Sequence, residues 1–469
     1  MKKTIFFCSF LLLFCGCVRQ AEHFRTLSDY EQNFDRTQKI SLAGKKSLSL
    51  SEAQKIALAN NPTLRSAASA VKSAQYSYYR SLSAWSPEIT ASWENRNTNA
   101  RGYDLHHPPA GIFPEENVFS NAVSVRATWL LFNGLAREMD ILVSRAEYDR
   151  SISVSNDVRR LLIRAVIYTW CDILLAAEEI IIARADKAFQ EAALRQAEQQ
   201  FKAGHVPYST VLNFKILSGK AQSRIFLARY NRRTALNALF ALLGYNNRDF
   251  PADMKLQAVT PAKANLHRPL SFYFEQAVLN RPDLKAEKLQ FEKALLQKQA
   301  AYASFMPEIY LFADFSLESA AAEYGGYSVD RSYYNRPAFS GGITGKWNLF
   351  RGLDSLNEVR RREALAHAAL WGLNKKYLDV MTEVRDALAC CRNAFEQIGI
   401  YRSMTGWVQT QRDLIYSEYL NGRETIARVN QAQSELVEVQ SSIALWEIQS
   451  RKAEAQLAAA LGMDSVPEY

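Results

Sequence analysis

The sequence predicts a mainly α-helical protein with a transmembrane β component. Long antiparallel coiled-coil helices join four amphipathic strands that can close a barrel only between copies of the chain. Three observations predict this. The chain is one unit written twice, each copy holds two stretches of period-two hydrophobicity, and each copy holds a 69-residue run without proline.

The duplication is read from fixed offsets. "NNPTL", with Pro62, is answered by "NRPDL", with Pro282, and Pro87-Glu88-Ile89 recurs as Pro307-Glu308-Ile309, both 220 residues on. Further along, "LFNG" (to Gly134) recurs as "LFRG" (to Gly352), "FKAG" (to Gly204) as "YLNG" (to Gly422), and "ALLG" (to Gly244) as "AALG" (to Gly462), each 218 apart. A two-residue deletion separates the two sets of marks. Residues 48–250 and 268–469 are therefore one repeat unit in two copies, with a linker at 251–267, and such self-similarity outranks any local signal.

Before the first repeat the chain reads "MKKTIFFCSFLLLFCGC". Two lysines precede an apolar run from Ile5 to Phe14 that is too short to span a bilayer as a helix, the layout of a secretory signal over residues 1–16. "FCGC" resembles a lipoprotein cleavage box, which makes Cys17 the acylated first residue of the mature chain and 17–47 a lipidated linker; several acyl chains on one residue anchor firmly. Val18, in the absence of an aspartate there, is compatible with sorting to the outer membrane. The formal charge of +9 becomes +7 once Lys2 and Lys3 leave with the signal. A basic balance often points to nucleic acid, but an export signal argues against that partner.

Each repeat opens with helical spacing, in the first copy from Ser51 to Ala84, with Ser51 and Glu52 at its start. The period then drops to two. Ile89, Ala91 and Trp93 oppose Thr90, Ser92 and Glu94; Val123, Val125, Ala127, Trp129 and Leu131 oppose Ser124, Arg126 and Thr128. In the second copy Ile309, Leu311, Ala313, Phe315 and Leu317 oppose Glu308, Tyr310, Asp314 and Ser316, and Phe339, Ile343, Trp347 and Leu349 oppose Ser340, Thr344, Lys346 and Asn348. Four strands of about ten residues, apolar on one face and polar on the other, fit a membrane barrel with an aqueous lumen. A soluble half-buried sheet reads the same locally, but no other apolar strands exist to cover that face. Val125, Trp129, Phe315 and Trp347 are expected to face lipid, with Arg126 and Lys346 facing water. Four strands cannot close a barrel, and open edges are not tolerated in lipid. Two copies give eight strands and three give twelve; periodicity does not choose.

After "LFNG" and "LFRG" come the long runs, Leu135 to Ala203 and Leu353 to Asn421. At 1.5 Å per residue each makes a helix of roughly 100 Å. The return arm Pro207 to Leu243 and the opening helix together match that length, so one long helix lies beside two shorter ones stacked end to end. The apolar block "LLIRAVIYTWCDILLAAEEIII" is interrupted by Arg164, Asp172, Glu178 and Glu179, which marks helix packed on helix rather than a membrane span. Gly204 and Gly422 suit the left-handed residue that ends a helix, and Pro207 follows the first.

Beyond the signal, Cys171, Cys390 and Cys391 form no disulfide framework and no metal spacing, and read as small buried helix residues. The chain has no phosphate-binding glycine loop, paired-histidine motif or nucleophile elbow, so an enzyme is not expected and no cofactor beyond the lipid is implied. His106 and His107 fall in the loop between the first two strands as solvated residues.

The doubled order of "LSLSEAQKIALANNPTL" and "LSFYFEQAVLNRPDL", the "LFNG" and "LFRG" strand exits, "FKAGHVPYSTVL" and "YLNGRETIARVNQAQ", and the closing "ALLG" and "AALG" resembles the TolC-type outer-membrane factors over essentially the whole chain after the signal. That resemblance implies a homotrimer. Its twelve strands form one outer-membrane barrel and its helices a periplasmic tunnel of near six-fold regularity. It implies passive conduction of small toxic compounds or drugs, with a periplasmic adaptor that docks on the turns at Gly204 and Gly422 and an inner-membrane pump of the resistance-nodulation-division type. An outer channel for one-step protein secretion fits the same fold; a lipid-anchored coiled-coil envelope scaffold is the alternative of another class. Relatives narrow the periplasmic end with acidic residues six and nine positions after the second tip glycine. Here those positions are Arg428 and Gln431, with Thr210 and Asn213 as their first-repeat counterparts. A ring of Arg428 is expected to favour anions, unless Arg428 turns aside to pair with Glu424.

Overall fold

The computed structural model describes residues 40, 47–100, 116–245, 255–257, 266, 268–324 and 330–464. In the first repeat the order is β1 (Ser47–Leu48), α1 (Leu50–Asn60), α2 (Pro62–Leu82), a 3-10 turn (Ser83–Trp85), β2 (Glu88–Ala100), β3 (Glu116–Phe132), α3 (Ala136–Lys202) and α4 (Tyr208–Leu243). In the second it is β4 (Lys255–Leu256), α5 (Leu270–Asn280), α6 (Pro282–Ala301), a 3-10 turn (Tyr302–Phe305), β5 (Glu308–Tyr324), β6 (Asp330–Lys346), α7 (Asp354–Leu420) and α8 (Ile426–Ala460). The element order itself is duplicated.

The expected opening helix of 51–84 is two helices. Ser49, not Ser51, caps the first: the Glu52 backbone N–H donates to Ser49 Oγ at 3.3 Å and the Ser49 N–H to Glu52 Oε2 at 3.1 Å, a reciprocal capping box. The helix stops at Asn60 because Pro62 disfavours helical backbone at the residue before it, and proline then serves as the first residue of α2, where an N–H is not needed. Asn61 Oδ1 takes the N–H groups of Thr63 and Leu64 at 2.9 and 3.2 Å. Arg281 and Pro282 break the second copy at the same place.

The two long helices are 67 residues each, beside return helices of 36 and 35. Their turns match bond for bond. His205 N–H reaches Gln200 O and Gly204 N–H reaches Phe201 O, both at 2.9 Å, and Arg423 to Glu418 and Gly422 to Tyr419 repeat the pattern at 2.9 and 3.0 Å. Gly204 and Gly422 sit at φ 75° and 74°, as this double-bonded helix end requires.

The sheet has order β2-β3-β5-β6, all antiparallel. Its strands have 13, 17, 17 and 17 residues, longer than expected, because polar stretches such as Asn95–Asn99 continue the ladder without apolar alternation. Paired residues share a face. Ala91, Val125, Phe315 and Phe339 form one row across all four strands, and Thr90, Arg126, Asp314 and Ser340 form the next row on the other face. A bulge between Leu130 and Phe132 ends the β3 ladder. Trp347 lies one residue past the end of β6, since β5 begins at Glu308, the partner of Lys346, and offers it nothing to pair with.

The chain forms two compact units that cut across the repeats. One contains Leu161–Ala264, Cys390–Gln456 and the segment ending at Arg65; the other contains Ser66–Arg160, Asn265–Ala389 and the segment from Leu457. In the first, Leu48, Ile56, Val166, Trp170, Leu239 and Leu243 build the main core beside the parallel β1·β4 pair. One face of the apolar block of α3, with Leu162, Val166, Trp170 and Ile173, is thus packed against protein, and no helix among the described residues is long and apolar enough to cross a membrane. The second unit holds the sheet.

Candidate functional site: the strand wall and the helix turns

The wall is built from the register upward. Val125 and Phe315 are paired and exposed on one face, and Trp129, paired with Leu311, stands on the same face. On the other, Arg126 Nε donates to Asp314 Oδ2 at 3.1 Å. Trp129 and Trp347 do the same thing in the two repeats: each indole N–H donates to the last carbonyl of the 3-10 turn before the neighbouring hairpin strand, Trp85 O at 2.9 Å and Phe305 O at 3.1 Å. Such amphipathic rings suit the edge of an apolar band. The junction of strand and helix is pinned by Arg137, almost fully buried. Its guanidinium lies 3.5 Å from the centre of the Trp85 ring and donates to Leu130 O at 2.7 Å. Leu135, two residues before it, and Leu353, its counterpart in the second repeat, take left-handed φ values of 67° and 70°, the only described residues other than glycine to do so.

At the helix turns, a Cβ added to Gly204 or Gly422 would meet nothing within 4 Å, so neither glycine is dictated by crowding; the backbone angle dictates it. Arg428 is exposed and donates to Gln431 Oε1 at 3.1 Å, while Gln431 donates to Glu435 at 2.9 Å. The alternative pairing with Glu424 is not made. The Glu424 carboxylate instead accepts the Thr425 N–H at 3.2 Å, although both residues line a groove with Trp407 and Leu414. The first-repeat counterparts differ from expectation. Thr210 is buried and Asn213 half-buried, because Thr210 shares the face of α4 that carries Phe214, and Phe214 packs on Ala193 and Ala197 of α3. The repeats therefore do not present equivalent side chains at this level.

Two polar arrangements escape sequence reasoning. The first crosses four helices: Arg412 of α7 donates to Gln433 Oε1 at 3.4 Å, Gln433 of α8 to Asp186 at 2.9 Å, and Arg224 of α4 to the other Asp186 oxygen on α3 at 3.3 Å. A buried aspartate in a helix of regular polar spacing carries no signal. The second surrounds the α5–α6 break, where Arg281 binds Asp283 through two nitrogens (3.0 and 2.6 Å) and Glu383 at 2.6 Å, and Lys376 reaches Asp283 at 2.7 Å. Burial alone would raise the Asp283 carboxyl, but hydrogen bonds from Arg281 and Lys376, with the charges of Arg281 and Arg160, hold it well below the usual carboxylate range. Of the three cysteines expected to be buried, Cys171 and Cys391 are, whereas Cys390, one position along the helix from Cys391, turns to the exposed face. Burial pushes the first two thiols up to about 11 and about 12, which keeps them protonated and inert. Cys17, His106 and His107 lie outside the described residues.

The family model described as outer membrane efflux protein matches residues 54–245 and again 274–463, one match per repeat. Among solved structures, the chain is similar to the outer membrane protein VceC of Vibrio cholerae (15% identity, 88% of this chain and 96% of that chain, TM-score 0.75). It is similar as well to the CmeC outer membrane channel of Campylobacter jejuni (14% identity, 95% and 90%, TM-score 0.76) and to the open state of the MtrE outer membrane channel of Neisseria gonorrhoeae (17% identity, 92% and 94%, TM-score 0.65). No curated protein matches it significantly in sequence. A duplicated helical arm, a four-stranded antiparallel sheet with one apolar face, and a family match covering both repeats lead to one conclusion: the chain belongs to the outer membrane efflux protein family.

Proposed function

We propose that the chain is the outer-membrane exit channel of a tripartite efflux assembly. Three copies share one barrel, and an adaptor and an inner-membrane pump, of the resistance-nodulation-division type, feed it small toxic compounds. The observation that carries this reading is the sheet: apolar on one face, polar on the other, and unpaired at both edges, it is usable in a bilayer only when other copies complete it. In this reading acylated Cys17 tethers the mature chain, the turns at Gly204 and Gly422 meet the adaptor, and the exposed Arg428 copies place positive charge around the closing end, where a narrow low-dielectric pore strengthens their field.

Deleting the gene and measuring susceptibility to a panel of toxic compounds tests the export role. Unchanged susceptibility together with loss of a secreted protein would favour the secretion channel instead. Reconstitution tests the class: a heat-resistant trimer with ion conductance excludes a scaffold. Reversal potentials under a salt gradient test the Arg428 ring, with anion preference expected and lost in Arg428→Ala; cation selectivity unchanged by that substitution would place the controlling charge elsewhere. Val125→Arg should impair assembly, since a cation at the bilayer midplane costs about 2 to 4 kcal/mol per chain, while Arg126→Ala should be mild. Equal effects would reverse the assignment of faces.

A further inference from the structure

We infer the residue-by-residue register of the strand seam that joins one copy of this chain to the next; the inference rests on the oligomeric reading above. The edges left open are β2 and β6. The hairpins β2·β3 and β5·β6 are the same object, because adding 220 to each β2 residue and 218 to its β3 partner reproduces the second ladder. Glu88 with Thr128 becomes Glu308 with Lys346, and Ser92 with Ser124 becomes Phe312 with Gly342. Within the chain the two hairpins are joined by β3 to β5. The one equivalent junction that remains is β6 to β2 of a neighbouring copy.

Carried over by the same offsets, Arg126 with Asp314 places Thr344 opposite Glu94 of the next copy. Thr128 with Phe312 places Lys346 opposite Ser92, and Trp129 with Leu311 places Trp347 opposite Ala91. The faces agree, since Ala127 with Ala313 becomes Gly345 with Trp93 and keeps apolar-face positions together. Trp347 to Phe350, which have no strand partner in the chain, then extend β6, with the bulge at Leu349 where the first repeat has one beside Leu131.

A second observation points to the same neighbour. A Cβ at Gly134 would lie 2.8 Å from Met306 Cβ and 3.0 Å from Ala303, in the turn that feeds β5, whereas Gly352, also left-handed at φ 60°, has nothing within 4 Å. The offset supplies the missing wall as Ser83 to Ser86 of the next copy, the turn that feeds its β2. Among the side-chain differences between the seam and the internal junction, the Arg126–Asp314 ion pair has Thr344 and Glu94 in its place.

Cysteine crosslinking of the full chain in membranes tests the register. The exposed Cys390 is changed to Ser, and Cys171 and Cys391 stay because burial holds them protonated. Thr344→Cys is combined in turn with Ser92→Cys, Glu94→Cys and Arg96→Cys, and oxidised. The 344/94 pair should give covalent dimers and closed trimers; the other two should not, since neighbours two residues off register lie about 7 to 8 Å apart, beyond the roughly 7 Å a disulfide spans. Crosslinking at 344/92 or 344/96 instead overturns the register, as does a heat-resistant oligomer that none of the three pairs traps. Absence of any oligomer from the wild-type chain overturns the channel reading and the seam with it. Thr344→Arg gives an independent readout. It restores at the seam the ion pair of the internal junction and should raise the temperature at which the oligomer dissociates by a few degrees; a rise that persists when Glu94→Gln is added contradicts the pairing.

Discussion

The helix break at Asn61 and the helix break at Arg281 are one place in two repeats, held by different chemistry. At each, the glycine that ends the return helix presses on the preceding asparagine: a Cβ at Gly244 would lie 2.7 Å from Asn60 O, and at Gly462 it would lie 2.7 Å from the Asn280 carbonyl carbon. At each, the break residue donates to the carbonyl two positions before that glycine, Asn61 Nδ2 to Leu242 O at 2.9 Å and Arg281 Nη1 to Ala460 O at 3.2 Å. One donor is a neutral amide that also caps α2. The other is a buried guanidinium between two carboxylates. Backbone packing thus fixes where a donor must stand and leaves its identity open; the repeats match in geometry and differ in electrostatics.

The largest expected effects bear on the shared geometry. Gly244→Val and Gly462→Val should each cost about 2 to 5 kcal/mol, the left-handed backbone accounting for about 1 to 2 and the crowding for the rest. The two losses should be alike, read as the dissociation temperature of the purified oligomer. A large loss at one glycine alone would show that the breaks are not equivalent. Next comes the divergent chemistry. Arg281→Met leaves Asp283 buried with Lys376 as its main partner and should cost about 3 kcal/mol, whereas Asn61→Ala removes a cap and one donor for about 1 to 2. Parity between them would mean that the charge cluster adds nothing to the donor it contains. The smallest effect is the pH dependence. Because the folded Asp283 carboxyl lies below its unfolded value, its contribution is complete above about pH 5 and is lost as pH falls below about 4. Asp283→Asn should flatten this part of the acid slope, and Thr63, its first-repeat counterpart, should have no such slope to lose when changed to Val.

The sheet's alternating faces and the two helix turns were legible because parity and offset are local arithmetic: Val125 and Phe315 share a face just as their spacing says, whereas the row that pairs them was not, since spacing within a strand does not fix its register on the next. The break at Asn61 was not, although "NNP" stood in view, because Pro62 is compatible with the start of a new helix as well as with the first turn of a continuing pattern. The Arg281 cluster was illegible for another reason. Its partners Glu383 and Ala460 lie 102 and 179 residues away, and no periodicity announces them. Thr210 shows the limit of carrying a role by offset, since burial beside Phe214 is set by packing that the counterpart Arg428 does not share.

The ladder between β3 and β5 also sets an order in time. Arg126 and Asp314, paired across it, are 188 residues apart, whereas the strands of each hairpin are neighbours in sequence. Helical segments form in about a microsecond and hairpins in about ten, but closing a loop of that length costs more entropy and pairings between distant residues form slowly. The seam between copies comes later still, because its rate depends on concentration. Through that interval each chain carries an apolar face and two open strand edges, the combination most prone to join the wrong partner. The yield of finished channel should therefore depend on how quickly the half-made sheet finds lipid and its own kind, and the last bonds to form are those that seal the wall.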